Sequence, residues 1–230
     1  MSQLLETLQG KTGLDKSKEF YHYLSRTARE KGIPLYGTFE LTPLCTLDCK
    51  MCYVHLRKDQ MKQEELSTQQ WISLIDQACD AGMMFANLTG GECLMYPGFR
   101  QIYEHLQDKG ILVTILSNGT LLAEEMVAWL AERPPQKVQI SVYGSSPAGY
   151  EAVAGNGSAF YKIDKAIDLL KAASIPVKLS ITASKYIVYD FAAIYKYCKS
   201  KEPLTITLST FPFQIGRASC KCRSRWSPYH

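Results

Sequence analysis

A chain of 230 residues with 46% apolar and 21% charged residues can bury a full core and is too apolar for the disordered class. Its formal net charge of +4 is too small to demand a polyanionic partner, and no apolar run approaches the roughly 18 residues that cross a bilayer. The N-terminus also lacks the apolar stretch of a signal peptide, so the expectation is a cytoplasmic protein of one domain with short appendages. In a reducing compartment the eight cysteines point to metal binding before disulfides.

In chain order, residues 14–30 place Phe20, Tyr23, Leu24 and Ala28 at helical spacing among charges, and Gly32 and Pro34 end the pattern. A strand-like stretch over 37–42 then runs into Cys45, Cys49 and Cys52, spaced C-x3-C-x2-C. Ser67 and Gln70 form a capping-box pattern, and Trp71, Ile72, Ile75, Ala78 and Cys79 give the helix after it an apolar face. Strands are predicted over 83–88, 111–116, 137–142, 177–182 and 204–208, with helices over 98–109, 121–131, 159–173 and 191–198. Residues 145–158, rich in Gly and containing Pro147, form a long polar loop that suits a substrate contact or lid.

Counting the first strand, six strands alternate with five helices, which is a parallel βα-repeat domain. The nearly continuous apolar run over 111–116 suggests a sheet covered on both faces. A flat doubly wound sheet and a barrel short of two units both satisfy this pattern. Periodicity does not choose between them.

Three thiolates on one short loop can hold three corners of an iron-sulfur cube and leave the fourth iron open to a small molecule. Zinc completed by His55, or thiols with no shared role, are the alternatives.

The C-x3-C-x2-C loop followed by Tyr53 resembles the cluster loop of the radical S-adenosylmethionine superfamily, particularly its peptide- and protein-modifying (SPASM-type) branch. Thr46 stands where that branch commonly has asparagine. Thr89-Gly90-Gly91-Glu92, Ser117-Asn118-Gly119-Thr120 and Ser141-Val142-Tyr143-Gly144 also resemble family landmarks, each at the end of a predicted strand. The resemblance implies an α/β fold, an incomplete (β/α)6 TIM-like barrel of parallel strands over 35–210. An N-terminal helical extension would cover 1–34, and a short basic tail 211–230.

It further implies a [4Fe-4S] cluster on Cys45, Cys49 and Cys52, with S-adenosyl-L-methionine on the open iron as source of a 5′-deoxyadenosyl radical. Met51 and Tyr53 would shield the cluster or line the adenine pocket. Gly90 and Gly91 would let the backbone approach the cofactor, with Glu92 near its ammonium group. Ser117, Asn118, Ser141, Ser180 and Lys178 are the remaining expected cofactor contacts, Thr120 is expected to cap the next helix, and Tyr143 and Tyr150 are expected at the entrance. Cys93 stands where the family often has proline; a hydrogen-atom donor and a neighbour of the substrate radical are alternatives to the simplest reading, an accidental small residue.

Peptide or protein is the expected substrate, and an external low-potential electron donor is required. A small metabolite, RNA and a non-catalytic iron-sulfur scaffold are the alternatives. The basic tail favours a solvated terminus over nucleic-acid contact. Open edges near Phe39 and Ile206, with Phe211, Pro212, Phe213 and Ile215 just beyond the second, suggest a homo- or hetero-oligomer or a bound peptide. Relatives in this branch usually continue into a cysteine-rich domain, of which Cys220 and Cys222 would be a remnant or a start.

Overall fold

Six short β-rich runs become strands β1 (Tyr36–Glu40), β2 (Phe85–Thr89), β3 (Leu112–Ser117), β4 (Lys137–Val142), β5 (Val177–Ala183) and β6 (Thr205–Thr210) in a computed structural model describing residues 13–52, 61 and 64–210. All pair in parallel, in the order β1-β2-β3-β4-β5-β6. A doubly wound sheet reverses its strand order at a switch point, and this sheet has none. Strictly sequential parallel strands with intervening helices are the topology of a barrel wall. Among the described residues β1 and β6 each pair on one side only, so the wall is open.

Helices α1 (Gly13–Lys31), α2 (Thr68–Asp80), α3 (Phe99–Asp108), α4 (Glu124–Glu132), α5 (Pro147–Ala154), α6 (Ala159–Ala172) and α7 (Phe191–Ser200) complete the described secondary structure with a short 3-10 turn at Cys93–Met95. The burial pattern of the strands shows which face these helices cover. Ala86 and Leu88 on β2, and Val138, Ile140 and Val142 on β4, are buried, while their neighbours in sequence are only partly so. Successive side chains on a strand point to opposite faces. One face is therefore an apolar layer against the helices, and the other is polar: Gln139 pairs with Lys178, and Ser141 with Ser180.

This corrects the expectation of a sheet covered on both faces. On β3 Val113 and Ile115 are buried as expected, but Leu112 between the helix-facing positions is 47% exposed. On β3 Thr114 and Ser117 are buried too, so this strand lacks the plain alternation of β2 and β4.

The capping box at Ser67 and Gln70 is present, each side chain bonding the other's backbone N–H. Helix α4 begins at Glu124, later than predicted, with no side-chain cap at Ala123. Glu124 and Glu125 in its first turn complement the positive end of the helix dipole. Thr120, expected as the cap, bonds Asn118 instead.

The predicted polar loop over 145–158 contains helix α5, started by Ser146 accepting from the Gly149 N–H, with Pro147 in its first turn. Gly155 ends it at φ 67°, a conformation glycine adopts without strain. Tyr150, Val153 and Ala154 are buried, so this segment is packed wall and not a lid. At the other edge, Tyr36 on β1 donates to the Tyr21 hydroxyl of α1 at 2.9 Å. Among the described residues no helix is long and apolar enough to cross a membrane.

Candidate active site

The loop after β1 folds between two supports, both made from backbone. On one side the N–H groups of Asp48 and Lys50 donate at 3.0 Å to the carbonyls of Ala154 and Val153. These are end-of-helix carbonyls of α5 that have no partner inside the helix. On the other side Gly91 N–H donates to Thr42 O at 2.7 Å and Glu92 N–H to Leu44 O at 2.8 Å. Cys52 N–H closes a tight turn onto Cys49 O at 2.9 Å.

Held this way, Cys45, Cys49 and Cys52 line one cleft of about 240 Å³ at the C-terminal ends of the strands. Met51, Gly90, Gly91, Ser117, Asn118, Ser141 and Ser180 line it as well. The structure thus brings together most of the residues singled out in the sequence. Lys178 does not line the cleft; it sits on β5 opposite Gln139, one inward-facing position before Ser180. Tyr53, His55, Cys220, Cys222 and the apolar residues after Thr210 lie outside the described residues.

Gln139, Thr182 and Ser209 also line the cleft and were not anticipated. The signal was available: Gln139 and Thr182 lie two positions from Ser141 and Ser180, on the same face of β4 and β5. Tyr143 lines the cleft, while Tyr150 is fully buried against it with ring centroids 6.1 Å apart, away from any entrance.

The glycines of Gly90-Gly91-Glu92 are dictated by their own chain. A Cβ at Gly90 would stand 2.3 Å from Thr42 O, and one at Gly91 would stand 2.3 Å from Leu44 O and 2.5 Å from Pro43 O. Glu92 is completely buried and does not line the cleft. Its carboxylate accepts from the Ser117 hydroxyl at 2.9 and 3.0 Å, the Asn118 N–H at 2.7 Å and the Leu94 N–H at 3.2 Å. Burial pushes its pKa above the ordinary carboxylate value, and these donors oppose that shift.

The side chains after β3 are similarly engaged within the protein. Ser117 Oγ accepts from Gly119 N–H at 2.9 Å while donating to Glu92. Asn118 Oδ1 accepts from the Thr120 N–H at 2.9 Å and hydroxyl at 2.7 Å, and its Nδ2 donates to Thr46 Oγ1 at 3.0 Å and reaches Cys45 Sγ at 3.4 Å. Cys93 is buried behind the cleft with its thiol 3.5 Å from Leu116 O.

Burial raises the pKa of the Cys45 thiol and pushes that of Cys49 up to about 12, with the neighbouring thiols adding to the second shift. Without metal both are protonated at neutral pH, and a metal must displace those protons to bind. Among the described residues no three His, Cys, Asp or Glu side chains converge on a single-ion position. Three soft ligands lining one cleft, with the Asn118 amide 3.4 Å from one sulfur, have the donor chemistry of an iron-sulfur site in which each iron takes one thiolate.

The model of the radical SAM superfamily matches residues 39–213 of this chain. The chain belongs to the radical SAM superfamily. It is 28% identical over 166 residues to the sporulation killing factor maturation protein of Bacillus subtilis, covering 72% of this chain and 40% of that protein. It is 29% identical over 169 residues to the AdoMet-dependent heme synthase of Methanosarcina barkeri, covering 72% of this chain and 47% of the synthase. Among solved structures, SuiB of Streptococcus suis aligns with a TM-score of 0.66 and 18% identity over 94% of this chain and 50% of that one. At that identity the likeness carries the fold. This radical SAM chain spans less than half the length of both curated relatives.

Proposed function

We propose that this chain is the radical-generating barrel of an enzyme that modifies or matures a peptide or protein. The observation that carries the reading is the single cleft shared by Cys45, Cys49 and Cys52 with the strand-end residues of β2 to β6. In this reading the three cysteines hold a [4Fe-4S] cluster and the cleft beside them receives S-adenosyl-L-methionine. When bound, such a cluster would supply the one-electron reduction of the sulfonium, drawn from an external low-potential donor, by which a substrate hydrogen is abstracted.

The chain's own residues divide the remaining work. Met51, Gly90, Gly91, Ser141 and Ser180 bound the cofactor space, with Tyr53 proposed alongside. Ser117 and Asn118 present their edges to it while their polar atoms hold the loops together. Glu92 acts from behind the wall by fixing Ser117 and Asn118, and Lys178 offers a cation lower on the polar face. A cytoplasmic, reducing setting suits such a cluster. An oligomer or a peptide on the open edge would cover unpaired strand groups.

The peptide class draws support from the maturation protein of Bacillus subtilis and from SuiB, one of whose structures has a precursor peptide bound. The heme synthase of Methanosarcina barkeri, at 29% identity, favours a small-molecule substrate as the second reading. The two separate in one experiment. The reconstituted protein is reduced with cofactor in the presence of a deuterated peptide fraction or a deuterated small-molecule fraction, and 5′-deoxyadenosine is examined by mass spectrometry. Deuterium acquired from the peptide fraction is expected. Deuterium acquired from the small-molecule fraction alone would move the substrate to the metabolite class.

A further inference from the structure

Asn118 has every hydrogen-bonding valence of its amide assigned, and the assignment fixes which end faces the cysteine loop. The backbone N–H of Thr120, 2.9 Å away, can only donate, so the amide atom meeting it is the oxygen. Gly119 makes this possible: at φ 82° it turns the chain so that the next N–H points back at the Asn118 side chain. The Thr120 hydroxyl donates to the same oxygen at 2.7 Å and lies 2.6 Å from Thr46 Oγ1, from which it accepts. Thr46 Oγ1 accepts in turn from Asn118 Nδ2 at 3.0 Å. Donors and acceptors close into a ring with no conflict. Turning the amide over would set Nδ2 against the Thr120 N–H and lose that bond and the contact to Cys45 Sγ, even with both threonine hydroxyls reversed.

The consequence is a second Nδ2 proton directed at Cys45 Sγ, 3.4 Å away. The backbone of Asn118 is pinned as well, because its N–H donates at 2.7 Å to the buried carboxylate of Glu92. A residue that is 5% exposed and anchored at both ends has little room to turn its donor aside.

We propose that Asn118 is a fixed N–H donor to the Cys45 sulfur and thereby raises the reduction potential of the cluster held by Cys45, Cys49 and Cys52; this rests on the cluster assignment made above. Reduction adds negative charge that is shared with the sulfur ligands. An N–H aimed at a sulfur stabilises the reduced state more than the oxidised one, and hydrogen bonds to sulfur are among the factors that set such potentials. Asn118 is a positioning residue in this sense: it acts on the metal through its ligand. Thr46 and Thr120 hold its amide in the donating orientation.

The test is a redox titration of the reconstituted protein, followed by the electron paramagnetic resonance signal of the reduced cluster with no cofactor present. Relative to the parent chain, Asn118→Ala is expected to lower the reduced-to-oxidised ratio at a fixed potential by about tenfold, a shift of about 59 mV for one electron. Thr46→Val removes the loop tie but leaves the donor anchored by Thr120, and is expected to change the ratio less than about twofold. A merely structural role for the tie would move both variants alike, and that result would overturn the proposal. An unchanged potential in Asn118→Ala would overturn it too. If Asn118→Ala does not load iron, Asn118→Leu, which keeps the volume without a donor or a charge, is titrated by the same criterion. Failure of both to hold a cluster that Thr46→Val holds would count against a tuning role. A parent chain that forms no cluster would remove the underlying assignment, a failure visible before any variant is made.

Discussion

Gly91→Ala separates two reasons for the double glycine, because its expected effect appears with no cofactor or metal bound. The added Cβ would meet Leu44 O at 2.3 Å, Pro43 O at 2.5 Å and the Leu44 carbonyl carbon at 2.7 Å. All three are backbone atoms of the cysteine loop, which cannot rotate away as a side-chain end could. Relief requires the two segments to part, which weakens the bonds from Gly91 N–H to Thr42 O and from Glu92 N–H to Leu44 O. Overpacking costs about 1–3 kcal/mol and each weakened bond up to about 1 kcal/mol, so about 3 kcal/mol is expected. For a domain of this size that lowers the melting temperature by about 6–12 °C. The assay is thermal unfolding of the metal-free protein followed by far-ultraviolet circular dichroism. Gly110→Ala is the comparison, since no atom lies within 4 Å of its added Cβ and only the strain of φ 73° remains, about 1–2 kcal/mol. If Gly91→Ala melted like the parent while losing only cofactor affinity, the glycine would serve ligand approach and the packing argument would be refuted.

Tyr150→Ala removes a fully buried ring from under α5 and is expected to cost about 3–5 kcal/mol in urea unfolding. Because α5 supplies the carbonyls that hold Asp48 and Lys50, the same variant should retain less iron after reconstitution and desalting; full retention would show that the loop holds its shape without the helix. A pH dependence follows from Cys49, whose thiol titrates at about 12 when folded against an ordinary 9.0. Between those values the folded metal-free chain binds the extra proton, so this contribution is intact below about pH 9 and is lost as pH rises towards about 12. Melting temperatures of the metal-free protein should fall over that window, and Cys49→Ala should flatten the fall.

The sequence was most legible where chemistry forces residue type. Three cysteines at close spacing, and the polar residues at the ends of alternating strands, meet in one cleft because parallel βα units deliver all strand ends to one side. The capping box at Ser67 was legible because its partner lies three residues away. What escaped detection depends on contacts distant in sequence. The glycines after β2 answer to carbonyls of the loop after β1, and Glu92 answers to donors twenty-five and twenty-six residues on. Helix α5 was hidden by Pro147 and its glycines, which suggest a loop until Tyr150 and Val153 are seen to be buried. The polar face of the sheet was obscured on β3, which lacks the plain alternation, but was open to parity counting on β4 and β5.

The most direct measurement is made on the parent chain and on a variant with Cys45, Cys49 and Cys52 all changed to alanine. Both are reconstituted with iron and sulfide without oxygen, reduced in the presence of S-adenosyl-L-methionine, and assayed for iron, for the paramagnetic signal and for 5′-deoxyadenosine. The parent is expected to hold about four irons per chain, to show a signal altered by the cofactor and to release 5′-deoxyadenosine; the variant is expected to do none of these. Iron retained undiminished by the triple variant, or a loaded parent that leaves the cofactor intact, would contradict the assignment of this cleft as the radical-generating site.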